Sequence, residues 1–551
     1  MKRIFSILPV CLFSLFAFSQ HTFNPVTQAV GLEVNTQNLG QAVGWGDIDN
    51  DGDLDLAYSY SNPAEFKLYR NDEGMYTDIT TVAGLTGISA WTIIWAEVTG
   101  DTLNDLITRS SLYRNNGDYI FIFAGNIAGQ ISSVADFDKD GNLDLFDRSL
   151  PGIKTGDGYG NFTIEYPLDV QGVRSTVCFD FDLDGDIDVF AGTSDQYENK
   201  LFRNDGNMVF TDVTNGCGMV MQNDIYGVAA GDINNDGYPD IYAAVHKDQL
   251  EDPGNYLFRN NGDGTFSDIT TSAGTIGQPS TRTASFADVN NDGWLDILVD
   301  DHYHGNFLYL NNGDETFDEV ADELNIRDVV TSWEIGGDYF GTSWGDYNLD
   351  GAIDFFGSGH MSRQKLYENQ NCPNNFLNIE LTGTVSNYNA VGTRVEVITG
   401  SMHTYHTVIA GDGGNNFHSY PLEIGLGDET TVDEIRIYWP NSDVQYLYDI
   451  QANTFLKVTE GNPVSVSGEG IPGDMELFPN PATETVTFSI NTFFSEPVEI
   501  TIFSSDGRAL IYEKIEIAGS YTIPVRHLAG GLYVVRIHSA KYSNVSKLIV
   551  K

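Results

Sequence analysis

Over the first 370 residues the apolar positions come in short stretches, each the length of a strand and separated by polar turns. A small or apolar stretch such as Ala42-Val-Gly-Trp45 or Ala284-Ser-Phe286-Ala runs into an acidic loop. A β-rich stretch such as Leu54-Asp-Leu-Ala-Tyr58 or Ile241-Tyr-Ala-Ala-Val245 leaves it. A second signature follows: Leu68-Tyr-Arg-Asn71, Leu112-Tyr-Arg-Asn115, Leu201-Phe-Arg-Asn204 and Leu257-Phe-Arg-Asn260. A glycine-rich turn and a last short strand close the unit, as in Asn261-Gly-Asp-Gly-Thr-Phe266-Ser-Asp-Ile-Thr270. Strand, acidic loop, strand, strand, turn, strand is the order of one four-stranded antiparallel sheet.

The unit repeats. Its acidic loop, Asp47-Ile-Asp49-Asn-Asp51-Gly52-Asp-Leu-Asp55, returns at Asp136, Asp180, Asp232, Asp288 and Asp346, and a decayed copy starts at Glu97. Seven such units predict an all-β fold, a seven-bladed β-propeller over residues 21–370. The seventh unit reaches Leu366-Tyr-Glu-Asn369 and then lacks a last strand. That strand is found at the other end of the chain, where Phe23-Asn-Pro-Val-Thr27 through Leu32 aligns with Tyr76-Thr-Asp-Ile-Thr80 through Leu85. A closed ring predicts such a split unit, because pairing first and last strands removes an exposed edge. An open array would need separate caps instead.

Acids at alternate positions of a tight loop can turn six or more oxygens towards one point, the arrangement calcium requires. The glycine permits the reversal. The ligand sets so assigned are Asp47, Asp49, Asp51, Asp53 and Asp55; Asp136, Asp138, Asp140, Asn142 and Asp144; and Asp180, Asp182, Asp184, Asp186 and Asp188. Three further sets are Asp232, Asn234, Asp236, Tyr238 and Asp240; Asp288, Asn290, Asp292, Trp294 and Asp296; and Asp346, Asn348, Asp350, Ala352 and Asp354. The fourth member of each acts through its backbone carbonyl. Six calcium ions are therefore expected. The loop at Glu97, with Thr99 for an acid and Thr102 for glycine, is expected to be weak or empty. An EF-hand would place its closing Glu at the twelfth position and continue as a helix; here the last acid is ninth and a strand follows.

The formal charge is −50, from 28 basic and 78 acidic residues, which excludes nucleic acid and anionic lipid as partners and suits divalent cations. Met1 to Gln20, with Lys2 and Arg3 before an apolar run, predicts a signal peptide too short to be a comfortable span, and no membrane span is expected elsewhere. Beyond Cys11 in that run, Cys178, Cys217 and Cys372 remain; the odd count gives no full disulfide framework, and the first two fall at repeat positions held elsewhere by core residues.

The acidic loops, with Asn260-Asn-Gly-Asp-Gly-Thr-Phe266, resemble FG-GAP/VCBS repeats, the blades of integrin α-type propellers. From 371 to 462, Asn389-Ala-Val-Gly392-Thr-Arg-Val395, Ile424-Gly-Leu-Gly427 and Trp439-Pro440-Asn-Ser-Asp-Val-Gln-Tyr-Leu447 resemble the ASPIC/UnbV domain of cartilage acidic protein-like proteins; Thr393 departs from the usual Ala. This resemblance implies an extracellular accessory module and brings no catalytic residue. A linker is expected over 463–474. The tail from 475 to 551, with Leu477-Phe-Pro-Asn-Pro481-Ala, Asp506-Gly-Arg508, Leu528-Ala-Gly-Gly-Leu-Tyr533 and Ser546-Lys-Leu-Ile-Val-Lys551, resembles the C-terminal sorting domain of the type IX secretion system. It implies a small β-sandwich, engagement of that machinery, and release or attachment at the cell surface.

No Gly-x-Ser-x-Gly elbow, zincin helix or phosphate loop is present. His246, His302 and His360 each stand 14 residues after the first Asp of their loops, at the strand end away from the calcium loops. They mark a candidate ligand face, either converging on one ion or ligand or standing as separate rim histidines; His304 and Asp301 could join them. The reading that follows is a secreted binding protein for an extracellular protein or glycan, in adhesion or matrix contact. The alternative is a calcium-dependent polysaccharide-degrading, lyase-like enzyme using the same face, with Lys247 and Arg363 as its basic groups.

Overall fold

The computed structural model describes residues 21–34, 40–61, 64–219, 221, 224–246, 254–277, 280–301, 304–327, 341–358, 364–411, 416–461, 465–466, 475–478, 482–490, 498–504, 509–515, 519–539 and 542–551. The chain is all-β; the one helix described is the single turn Thr270–Ala273. Seven sheets follow one another from residue 40 to 370; six are built from four consecutive antiparallel strands in sequence order, the first of them with a further parallel strand from Asn416–Phe417. In every one the last residue of the leading strand pairs with the ninth residue of the acidic loop: Gly46 with Asp55, Ala96 with Asp105, Ala135 with Asp144, Phe179 with Asp188, Gly231 with Asp240, Ala287 with Asp296 and Gly345 with Asp354. The loop is thus a hairpin connection of fixed length. Leading strands such as Gly40–Gly46 are buried at every position, because both faces pack against neighbouring sheets; small and aromatic residues meet that demand.

The seventh sheet takes its fourth strand from the N-terminus. Thr22–Pro25 pairs antiparallel with Gln364–Gln370, Phe23 opposite Asn369. The Val26 N–H continues the ladder to Leu366 O at 2.9 Å, and the Thr27 hydroxyl accepts the Leu366 N–H at 3.0 Å. Phe23 is fully buried, edge-on to Phe355.

Two sets of bonds join successive sheets. The asparagine ending each Leu-aromatic-x-Asn string (Arg at x in four copies, Leu310 and Glu368 in the last two) donates its side-chain N–H to a loop carbonyl of the sheet before: Asn115 to Ile48, Asn204 to Phe137, Asn260 to Phe181, Asn311 to Ile233 and Asn369 to Val289. Asn71 of the first sheet reaches Tyr347 O of the seventh at 2.8 Å. Tryptophans near the ends of the leading strands do the same: Trp95 to Gly44 O, Trp344 to Ser285 Oγ, and Trp45 to Ser343 O.

Residues 375–461, with the short strand Ser465–Val466, build two further four-stranded sheets, whose core (Leu377, Ile379, Val395, Ile424, Val432, Ile435) is continuous with that of the first four sheets. This second domain lies over the acidic loops. Asn389 accepts the Glu97 N–H at 2.7 Å and donates to Asn104; Gly427 N–H donates to Asn291 O at 2.8 Å; Asn374 donates to Asn290 O at 2.9 Å. The chain between Val408 and Tyr420 enters among the leading strands. Ala410 O accepts the Val134 N–H, Asn416–Phe417 adds a parallel strand beside Val43 and Gly44, His418 Nδ1 accepts the Trp344 N–H, and the Tyr420 hydroxyl donates to Trp95 O. Four sheets therefore share one insertion. From residue 475 a three-stranded and a four-stranded sheet enclose a separate small core of Val486, Ile500, Ile502, Ile523, Val535 and Leu548.

Candidate metal centres

Each intact loop folds by the same internal bonds. The first aspartate accepts the glycine N–H on Oδ2: Asp47 from Gly52, Asp136 from Gly141, Asp180 from Gly185, Asp232 from Gly237, Asp288 from Gly293 and Asp346 from Gly351, all within 2.7–3.0 Å. Its Oδ1 accepts the N–H of the fifth residue. The fifth residue, Asp51, Asp140, Asp184, Asp236, Asp292 or Asp350, in turn accepts the N–H of the seventh. The bends need two left-handed residues per loop. Asn50, Lys139, Leu183, Asn235, Asn291 and Leu349 have φ between 56° and 60°, and the glycine two positions later has φ between 85° and 98°. For Leu183 and Leu349 that conformation costs about 1–2 kcal/mol, which the loop's closed bonding must offset.

Three loops bring carboxylate oxygens of their first, third and ninth residues within 4.8 Å of one another: Asp47, Asp49 and Asp55; Asp136, Asp138 and Asp144; Asp180, Asp182 and Asp188. In the other three the third residue is an amide oriented to match. Asn234, Asn290 and Asn348 donate Nδ2 to the fifth-position carboxylate and accept its N–H on Oδ1, so the amide oxygen stands where Asp49 and Asp138 place theirs. A set of hard oxygens with this geometry fits a divalent cation such as calcium.

The ninth aspartate has a second role. One oxygen accepts the N–H of the loop's second residue and the other the N–H of the third strand, as Asp55 does from Ile48 and Asn71. Asp105 in the decayed loop keeps both bonds, from Val98 and Asn115. In this loop Glu97 Oε1 accepts the N–H groups of Thr99, Gly100 and Asp101, and the Arg114 guanidinium lies on Asp101 at 2.9 Å.

Burial makes the intact loops costly when empty. It pushes the carboxyls of Asp47, Asp136 and Asp180 up to about 6, those of Asp232 and Asp346 to about 7, and that of Asp288 to about 8; neighbouring loop carboxylates add to it in every case. The ninth-position Asp144 and Asp188 rise to about 8 and 9 for the same reason. A bound cation relieves both burdens.

Of the candidate ligand face, His302 and His360 lie outside the described residues, as do Lys247, Arg363 and Met1–Gln20. His246 stacks edge-on against Tyr226 at 4.8 Å, and its N–H donates to Asp224 O. His304 Nδ1 is bonded to Asp301 at 2.8 Å. Tyr226 itself lies between two guanidiniums, Arg174 at 4.9 Å and Arg282 at 4.4 Å, contributed by the leading strands of three successive sheets at their ends away from the loops. Sequence reasoning missed this group, since the three residues are about 50 positions apart. Cys178 and Cys217 are buried, and burial pushes the thiols of Cys178 and Cys372 up to about 12; all three are free. The signature asparagines were also missed as links between sheets, although their recurrence was visible.

The comparisons with known proteins agree with this organisation. An FG-GAP-like repeat model matches residues 47–108, 180–243 and 248–299; an ASPIC and UnbV model matches 383–465; a secretion system C-terminal sorting domain model matches 476–551. Cartilage acidic protein 1 of Xenopus tropicalis is 28% identical over 263 residues, 45% of this chain and 38% of that protein, so the match spans well under half of the relative's length. Among solved structures, a family 43 arabinoxylan arabinofuranohydrolase from Bacillus subtilis in complex with cellotetraose has 9% identity over 93% of this chain and 95% of that one, with a TM-score of 0.25. Dimeric latent PorU from Porphyromonas gingivalis has 12% identity over 74% and 35%, with a TM-score of 0.13. At such scores neither carries an argument. Among the described residues no helix is long and apolar enough to cross a membrane. The chain combines FG-GAP-like repeats with an ASPIC/UnbV domain and a type IX secretion sorting domain, the last of which marks it for export to the outer cell surface or the medium.

Proposed function

We propose that the protein is a calcium-loaded, seven-bladed β-propeller closed by its own N-terminal strand, acting outside the cell as a binding module for an extracellular protein or glycan in adhesion or matrix contact. The observation that carries the calcium reading is the sixfold recurrence of one donor set with one internal bonding scheme. The closed ring is supported by the bonds that return from the first sheet to the seventh, Asn71 to Tyr347 and Trp45 to Ser343. With the loops covered by residues 375–461, the opposite face is the one on which all blades are free to present side chains to a ligand. The group of Arg174, Tyr226, Arg282 and His246 stands at that end of the leading strands. Arg174 is also paired with Asp224 at 3.4 Å there and Arg282 is buried, so the exposed part of the group offers the Arg174 guanidinium beside the Tyr226 ring to a ligand.

Two measurements test this. Extracellular calcium modules bind at about 10⁻⁴ to 10⁻³ M. Millimolar calcium should therefore raise the melting temperature and chelator lower it, and indifference to both would remove the calcium reading. A glycan and matrix-protein array should give calcium-dependent binding that Arg174→Ala weakens. An unchanged array profile for that variant would remove the assignment of the face.

A further inference from the structure

Among the described residues, the second domain's hydrogen bonds to the loops run through backbone groups and the amides of Asn374 and Asn389, and one more reaches a carboxylate of an intact loop. Asn441 points its side-chain N–H at the carboxylate of Asp136, Nδ2 to Oδ2 at 3.1 Å. Asp136 is the first residue of the third sheet's loop, and its carboxylate is grouped with those of Asp138 and Asp144. Among the described residues, no other first aspartate of an intact loop accepts a hydrogen bond from a side chain of the second domain.

Asn441 is held firmly. Glu460, 3% exposed, gathers the N–H groups of Thr384, Val385 and Ser386 on Oε2 at 2.7–2.8 Å. Its Oε1 accepts the hydroxyls of Ser386 at 2.9 Å and Ser442 at 2.6 Å. The Asn441 N–H donates to Ser386 Oγ at 3.2 Å, and the Trp439 indole is fixed to Gln445. Burial opposes ionisation of Glu460, yet these donors outweigh it and keep the carboxyl below its ordinary value. One carboxylate thus locks two turns into a platform. The other turn rests on the same loop: a Cβ at Gly141 would come within 2.8 Å of Val385 O.

The bonding of Asp136 shows what this contact does. Oδ2 receives two donors, Gly141 N–H at 3.0 Å and Asn441. Oδ1 receives one, Asp140 N–H at 3.1 Å. A carboxylate oxygen has two lone pairs, so Oδ2 is saturated and Oδ1 keeps one for a cation. In the other intact loops the Oδ2 atoms receive the glycine N–H alone.

We propose that Asn441 is a positioning residue for the cation in the Asp136 loop: it fixes the carboxylate with Oδ1 towards the ion and so couples docking of the second domain to occupancy of that one loop. The inference rests on the calcium reading of the loops. Outer partners that orient a metal ligand typically change affinity 10- to 100-fold when removed. By linkage the ion must hold the domain in place as strongly as the domain holds the ion.

The test uses the full chain. Calcium titration calorimetry of the parent is compared with Asn441→Ala and Asn441→Gln. One site should weaken 10- to 100-fold in Asn441→Ala. The others should be unchanged, and Asn441→Gln, which keeps the donor, should recover part of the loss. The reverse direction is read by amide exchange in Asp138→Ala, which empties this loop and leaves Asn441 in place. Exchange at Ser386 and Asn441 should rise at least tenfold, while Gly427, docked on the sixth sheet's loop, stays protected. No calcium binding by the parent would overturn the loop reading itself. A parent that binds, with Asn441→Ala identical to it, or with no change of exchange in Asp138→Ala, would overturn the coupling and leave the loop reading intact.

Discussion

Lys154 and Asp147 form an ion pair at 3.0 Å with side-chain exposures of 2% and 0%. Burial opposes ionisation of Asp147, but the N–H groups of Gln130 and Ser149 and the Lys154 ammonium outweigh it and hold its carboxyl below the ordinary range. Such a pair adds little net stability as a pair, yet losing one partner strands a charge. Lys154→Met should therefore cost about 3–5 kcal/mol in denaturant unfolding. Asp147→Asn in the same chain should recover much of it, and an unaffected single variant would show that water reaches Asp147. Nothing in the sequence announces this pair, since both residues read as ordinary strand charges. The loop acids are different: they recur at one fixed spacing, so Asp47, Asp49 and Asp51 stand out unaided. The recurrence of the ninth acid was legible, but its bonds to Ile48 and Asn71 were not, because they depend on where the third strand runs.

At the scale of the element, the four-strand unit was legible because turn, loop and strand signals repeat together. Its edges were harder to read. The Leu-aromatic-Arg-Asn signature advertises itself by recurrence, yet only the packing of successive sheets shows that the asparagine serves the sheet before its own. The third sheet lacks the asparagine; Gly156 stands there and donates its N–H to Asp144. The N-terminal strand is short, and one large side chain anchors it. Phe23→Ala removes a fully buried ring and should cost about 3–5 kcal/mol. It should also raise hydrogen exchange selectively along Gln364–Gln370, whose outer edge it guards. Uniform exchange across all seven sheets would show that this strand is not a separate lock. The second domain's strands were also readable as short β stretches. Its seat on the loops was not, because the docking contacts are mostly backbone groups and amides with no pattern of their own.

For the whole molecule, the acidic loops set the response to pH. Their first aspartates titrate at about 6 to 8 in the metal-free fold, above the ordinary 3.8 of an exposed carboxyl. A raised carboxyl binds its proton more tightly folded than unfolded. Its contribution is fully present below about pH 4 and is lost as pH rises through the folded value. With chelator, the melting temperature should fall from pH 5 to pH 8. With excess calcium that fall should vanish, since the ion replaces the protons. Calorimetry at several pH values decides it, and a chelated protein as stable at pH 8 as at pH 5 would contradict the burial of these groups. Self-repulsion in a chain at −50 works in the same direction, since it grows as the carboxyls ionise.

The seventh sheet also sets an order of events in time. Its outer strand is made before every other strand of the seven sheets, and its partner, Gln364–Gln370, lies more than 340 residues later. In a structureless chain, closing so long a loop costs about 5 kcal/mol, against under 2 kcal/mol for a hairpin of a few residues. Assembly by successive local hairpins avoids most of that cost: once six sheets stand side by side, the two ends are already near one another. Closure is then a late step, and the species before it carries an unpaired edge and an uncovered Phe355. The molecule is at its most aggregation-prone when it is nearly complete, and crowding of half-closed copies, rather than failure of any single sheet, is the hazard its synthesis has to pass.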